Sequence, residues 1–281
     1  HCRRCCYTFS VFRLLVDLTG SASHSLRCWV WIPLTNSWMD DYHHCLRSHS
    51  QGNCQCSLCH PFRLSLPLAS GPIQLQLAQL ANHYQVPIIE DDVYLELSHS
   101  HHLPMPAKYY DSDGYILWCG SVSKTLSPSF RLGWCLPGRF LSRYQKQFSI
   151  GSLGVTTQTQ HTIAELMATG QYMTYLKKKR FELLNLKHQY IEYLRLRLPK
   201  QSRFSNPSGG LVLWIQIVGL DGAKLAQSAI NQDIDIRIGS IFTTHDFYQN
   251  CLRINIGHPL NANIRKQLDE LSQLIHHHCE L

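Results

Sequence analysis

Tyr115-Ile116-Leu117-Trp118-Cys119-Gly120-Ser121-Val122-Ser123-Lys124-Thr125-Leu126 passes from an apolar run into small and hydroxyl residues that surround one lysine. Its first five residues have the length and composition of a buried strand. Hydroxyl groups at the end of such a strand can donate to a phosphate, and a lysine there sits beside the bound group. Arg131, seven residues after Lys124 in Phe130-Arg131-Leu132-Gly133-Trp134, adds a fixed cation with a fork of donors. The glycine spacing is not that of a Walker loop, and the lysine follows the serines. Taken alone, Ser-x-Ser-Lys specifies little.

A second apolar run, Val86-Pro87-Ile88-Ile89, leads directly into Glu90-Asp91-Asp92-Val93-Tyr94. Acidic residues at the C-terminal end of a parallel strand face the crevice where such sheets bind ligands. A solvated loop or a helix cap is the plain alternative. Three adjacent carboxylates could also suggest a metal, but no His or further carboxylate follows at useful spacing. Asp91 lies 33 residues before Lys124, and the two motifs together are specific where each alone is not.

Working outward, Leu77, Leu80, Ala81 and Tyr84 recur at helical spacing ahead of the first run. Helices are predicted over 156–168 and 171–198, the second ending at Pro199. After Gly209-Gly210 come a strand over Leu211–Ile217, a helix opening at Asp221, and strands near 234–238 and 251–256. A final amphipathic helix starts around Asn261 and carries Ile264, Leu268, Leu271 and Ile275 on one face. Helix and strand alternate, so the class is α/β. Lys177, Lys178, Lys179 and Arg180 form the one dense basic run of a chain with net charge +7, and read as a solvated helix face. No apolar run approaches the roughly 18–20 residues that span a bilayer.

The four stretches Val86–Tyr94, Ser121–Gly133, Ser208–Trp214 and Cys251–Asn255 together resemble the fold-type I pyridoxal phosphate (PLP)-dependent aminotransferases. The nearest resemblance is to the aminotransferase-like domain of MocR-type regulators of the GntR family. It covers residues 71–278 in family order. It implies a mostly parallel sheet in a partial large domain (71–175) and an α+β small domain (176–281). It also implies roles. Lys124 would bond the PLP aldehyde as a Schiff base, for which its amine must be neutral, and would later move the substrate α-proton. Asp91 would hold a proton on the pyridine nitrogen, and Tyr94 would hydrogen-bond the phenolic oxygen. Ser121, Ser123 and Arg131 would hold the phosphate. Arg253 would clamp a substrate carboxylate, unless it is simply an exposed strand residue. The substrate implied is an amino acid or other amino compound, the assembly a homodimer and the location cytoplasmic. DNA would be bound only through a winged-helix domain expected to lie outside this chain. A free-standing class I/II aminotransferase and an inactive remnant without cofactor are the competing functions.

Residues 1–70 differ in character. They hold eight of the twelve cysteines and no Lys or Glu; the first Glu is Glu90 and the first Lys is Lys108. Cys2-x-x-Cys5 and Cys56-x-x-Cys59 have zinc-knuckle spacing, but lie some 50 residues apart without the glycine turns such pairs use. A secreted disulfide scaffold suits the enzyme pattern poorly. An out-of-frame or degraded segment, in a fragment whose N-terminus is missing, explains the composition best. The Asn-Pro that the family places before its Asp would fall near Arg63, where Pro61-Phe62-Arg63-Leu64-Ser65 stands instead. Ser129 replaces a family glycine and is expected to strain that turn. Trp214 is read as small-domain core. His99, His101 and His102 are read as a solvated loop, and His276-His277-His278 as a frayed helix end.

Overall fold

The computed structural model describes residues 57–59, 71–100, 103–152, 154–243 and 247–279. The Cys2–Cys5 pair, most of the Cys-rich segment, Arg63, His101 and His102 lie outside the described residues. Those described fall into two compact units, one holding 57–59, 71–96 and 103–172, the other 97–100 and 173–279.

The first unit is built on a four-stranded sheet in the order β1 (Ser57–Cys59), β2 (Ile88–Asp91), β3 (Ile116–Ser121), β4 (Gly133–Leu136). β1, β2 and β3 run parallel and β4 is antiparallel to β3. The nearly unbroken apolar runs of β2 and β3 suit strands covered on both faces. Helix α1 (Gly71–Tyr84) packs Ala78 and Ala81 against Val86, Ile88 and Ile116. It ends in a Schellman motif: Gln85 takes the left-handed conformation (φ 57°), Gln85 N–H donates to Asn82 O and Val86 N–H donates to Ala81 O. Val86 is thereby buried beneath the helix and starts the run toward β2.

Between β2 and β3, Asp111 organises the return of the chain. Its carboxylate accepts from the backbone N–H groups of Gly114, Tyr115 and Ile116 at 2.9, 3.0 and 2.8 Å, and pairs with Lys108 at 2.8 Å. Three helices follow β4: α2 (Leu141–Gly151), α3 (Thr157–Ala168) and α4 (Gln171–Arg195).

The second unit has the all-antiparallel sheet β5 (Arg203–Phe204), β6 (Val212–Gln216), β8 (Cys251–Asn255), β7 (Arg237–Ile238) in that spatial order. Leu213 and Ile215 point to one face and are fully buried with Leu252. Helix α5 (Gly222–Ile230) opens at Asp221, whose carboxylate accepts from Ala223 and Lys224 N–H. Helix α6 (Ala262–His277) opens at Asn261, which accepts from Ile264 N–H, and buries Leu268, Leu271 and Ile275.

Several expectations need correction. β2 reaches Asp91 and β3 reaches Ser121, both further than the apolar runs suggested, because the parallel ladder continues to the pair Asp91–Cys119 and the antiparallel ladder with β4 to the pair Ser121–Gly133. The strand expected near 234–238 shrinks to Arg237–Ile238. The histidine run at the end of α6 is not frayed. His276 Nε2 lies 2.8 Å from the Arg197 carbonyl, and His278 Nε2 lies 2.8 Å from Ser228 Oγ. Trp214 alternates away from the buried Leu213 and Ile215 and packs edge-on against Phe242 and Tyr248. His99 is half-buried rather than solvated. Burial, then the Lys187 ammonium, pushes its pKa down to about 4.

Candidate functional site

Six of the seven singled-out residues lie in the first unit, at the C-terminal ends of β2 and β3. The acidic triplet is sorted by strand alternation. Glu90 is buried and accepts from the backbone N–H groups of Ala107 at 2.8 Å and Lys108 at 3.0 Å. Asp92 is also buried and accepts from the Trp118 indole N–H at 3.1 Å. Both serve the scaffold. Asp91 points to the opposite face and is half-buried at the last position of β2. Three neighbouring carboxylates therefore do not converge, and among the described residues no group of three or more His, Cys, Asp or Glu could hold a metal ion.

Past β3 the chain makes a tight turn in which Leu126 N–H donates to Val122 O at 2.8 Å. Ser121 Oγ donates to the Leu132 carbonyl at 2.9 Å and accepts from the Ser123 backbone N–H at 3.1 Å, with the Ser123 hydroxyl 3.0 Å away. Val122 N–H also donates to Leu132 O. These bonds tie the Ser121–Leu126 turn to the start of β4. Lys124 stands exposed on the turn with its Nζ 5.7 Å from the centre of the Tyr94 ring. The structure thus brings together Lys124 and Tyr94, and separately Ser121 and Ser123.

Arg131 adopts a left-handed conformation (φ 50°) just before β4, and its side chain is exposed. The strain expected at Ser129 is not found there. Ser129 N–H donates to Ser127 Oγ within a one-turn helix over Pro128–Phe130, and the unusual backbone falls on Arg131 instead.

Sequence reasoning missed the support beneath the lysine. Thr125, next to it, is buried, and its hydroxyl lies 2.9 Å from the Tyr172 phenol, which donates to Glu96 at 2.6 Å. Tyr172 is 47 positions from Thr125, so no local pattern could have paired them. Gly120 was equally silent: a side chain there would meet the Trp134 ring at 2.5 Å.

Arg253 lies in the second unit, on β8, directly opposite Trp214 of β6 and Arg237 of β7. It is half-buried, with its guanidinium 5.1 Å from the Phe242 ring centre. Arg237 is paired with Asp235.

The donor set of the first unit fits the three ends of PLP: an amine for the aldehyde, a carboxylate for the ring nitrogen, and hydroxyl and guanidinium groups for the phosphate.

No family model matches the chain. It is 30% identical over 223 residues to the helix-turn-helix-type transcriptional regulator YjiR of Escherichia coli strain K12, a match covering 79% of this chain and 47% of the regulator. It is 26% identical over 203 residues to aromatic-amino-acid aminotransferase 1 of Thermococcus litoralis, covering 71% of this chain and 48% of the enzyme. The chain spans about half the length of these curated relatives. Among solved structures it superposes on the Pyrococcus horikoshii kynurenine aminotransferase with a TM-score of 0.72 and 22% identity, over 86% of this chain and 61% of that one. With helix-turn-helix-type regulators and aminotransferases among its sequence relatives and aminotransferases as its structural neighbours, the chain has the fold of the fold-type I PLP-dependent aminotransferases.

Proposed function

We propose that this chain is the PLP-binding, aminotransferase-like part of a MocR-type regulator, acting on an amino acid or other amino compound in the cytoplasm. One observation carries the reading: the turn after β3 presents the Lys124 amine beside the Tyr94 ring, at the same sheet edge where β2 ends in Asp91. When bound, PLP supplies an electron sink for the bond pair at the substrate α-carbon. Lys124 would hold the cofactor at its aldehyde carbon and would carry the proton of the substrate α-carbon. Asp91 holds a proton on the ring nitrogen, and the Tyr94 phenol hydrogen-bonds the ring oxygen. Ser121, Ser123 and Arg131 bind the phosphate, with Ser121 also bracing the turn. Arg253 orients the substrate carboxylate through two parallel hydrogen bonds.

The test is an absorbance titration of the intact chain with PLP, repeated on Lys124→Ala. A band at about 410–430 nm, present in the parent and lost in the variant, is the expected result. Equal spectra for the two chains would sink the reading and leave a remnant without cofactor. In this family the site is completed by a second subunit, so the chain is expected to sediment as a dimer; a monomer at tens of micromolar would refute that part. The similarity to the Thermococcus litoralis enzyme keeps a free-standing aminotransferase as the second reading. A winged-helix segment encoded upstream in the same gene would decide against it.

A further inference from the structure

Cys119 and Cys135 face each other directly across β3 and β4, in the antiparallel register that also pairs Trp118 with Leu136 and Gly120 with Trp134. Directly opposed residues in such a ladder hold their Cα atoms about 4.5–5.5 Å apart, inside the ~4.4–6.8 Å span of disulfides. The two side chains project from the same face of the sheet. Cys119 is buried with Ile89 and Leu117, while Cys135 is half-buried and packs over them beside Phe140 and Tyr144.

We infer that Cys119 and Cys135 are a dithiol pair that closes reversibly to a disulfide by exchange with a small-molecule disulfide such as oxidised glutathione. The pair is unequal in a useful way. The hydrogen bond from Cys119, then the Lys108 ammonium, holds the Cys135 thiol below its ordinary range against the opposing effect of burial. The same hydrogen bond, then burial, then Asp91 and Glu90, holds Cys119 protonated. Cys135, the more accessible sulfur, is therefore the attacking thiolate.

Its lone pair attacks one sulfur of the small disulfide, the S–S bond breaks, and one small thiol leaves. Cys119 then attacks the Cys135 sulfur, its proton passing to the departing small thiolate, which leaves as the second small thiol. Two protein thiols are oxidised and one small disulfide is reduced, so the exchange balances. The bridge would clamp β3 to β4 two residues before Ser121 and two after Gly133. It fixes the base of the turn that carries Lys124, and it does not depend on whether PLP binds.

The experiment uses the intact chain under native conditions, treated with oxidised glutathione, alkylated with iodoacetamide and digested with trypsin. Cleavage after Lys108, Lys124, Arg131 and Arg139 places the two cysteines on separate peptides, Tyr109–Lys124 and Leu132–Arg139. The expected species is these two peptides joined. It should appear on oxidation, vanish with dithiothreitol and be missing from Cys135→Ser, while Cys251 and Cys279 are recovered alkylated. Both peptides alkylated after oxidation would overturn the inference, as would glutathione retained on Cys135 alone. Cys119 joined to a different cysteine, or joining seen only in urea, would also overturn it.

Discussion

His99 shows how one side chain can govern the acid limit of the fold. Its backbone N–H donates to Ser208 O at 2.8 Å, its ring is half-buried, and Lys187 lies close enough to repel a second positive charge. The unfolded chain takes up a proton near the ordinary value of 6.5, the folded chain only at about 4. The unfolded state therefore binds more protons in that window, and stability contributed by neutral His99 is lost as pH falls from 6.5 toward 4. The melting temperature should drop by a few degrees across that range, and His99→Phe should flatten the drop. Identical acid limbs for the two chains would show that the ring is not the titrating group. From sequence, Ser98-His99-Ser100 is polar and reads as solvated. What buries it is pairing with residues more than a hundred positions away, at Ser208 and Gly209.

Among the elements, the β3–β4 pair sets the precision of the site. Gly120 is buried, and the Trp134 ring lies where its side chain would be. Gly120→Ala should cost about 1–3 kcal/mol, because the indole or the strand must shift. Urea unfolding followed by tryptophan fluorescence reads both the loss and the ring's displacement; an unchanged midpoint would mean the indole moves freely. Element types were legible: helix caps at Asp221 and Asn261 and the apolar cores of β2 and β3 follow from local chemistry, whereas the helix expected to run to 198 ends at Arg195. Element ends were less so. β2 runs on into Glu90 and Asp91 because a parallel neighbour accepts the ladder and Ala107 and Lys108 satisfy Glu90. Neither partner is visible to a local pattern.

At the scale of the whole molecule, the order of motifs carried the family, and hydrogen bonding across distance carried what the motifs could not. The lysine turn was legible because its residue types are chemically singular. Its support through Thr125, Tyr172 and Glu96 was not, since a buried phenol pairs with whatever the fold delivers. Among the described residues, the second unit holds one segment from far upstream: Ser98 bridges Gly209, and Gly210 N–H donates to Leu97 O. A side chain on Gly209 would meet Ser98 Cα at 2.8 Å, so the two backbones touch with nothing between them. The ribosome makes residues 97–100 long before their partners near 208–210 exist. As the chain emerges, water holds the amides and carbonyls of this segment until about a hundred further residues have been made and Gly209-Gly210 arrive to replace it.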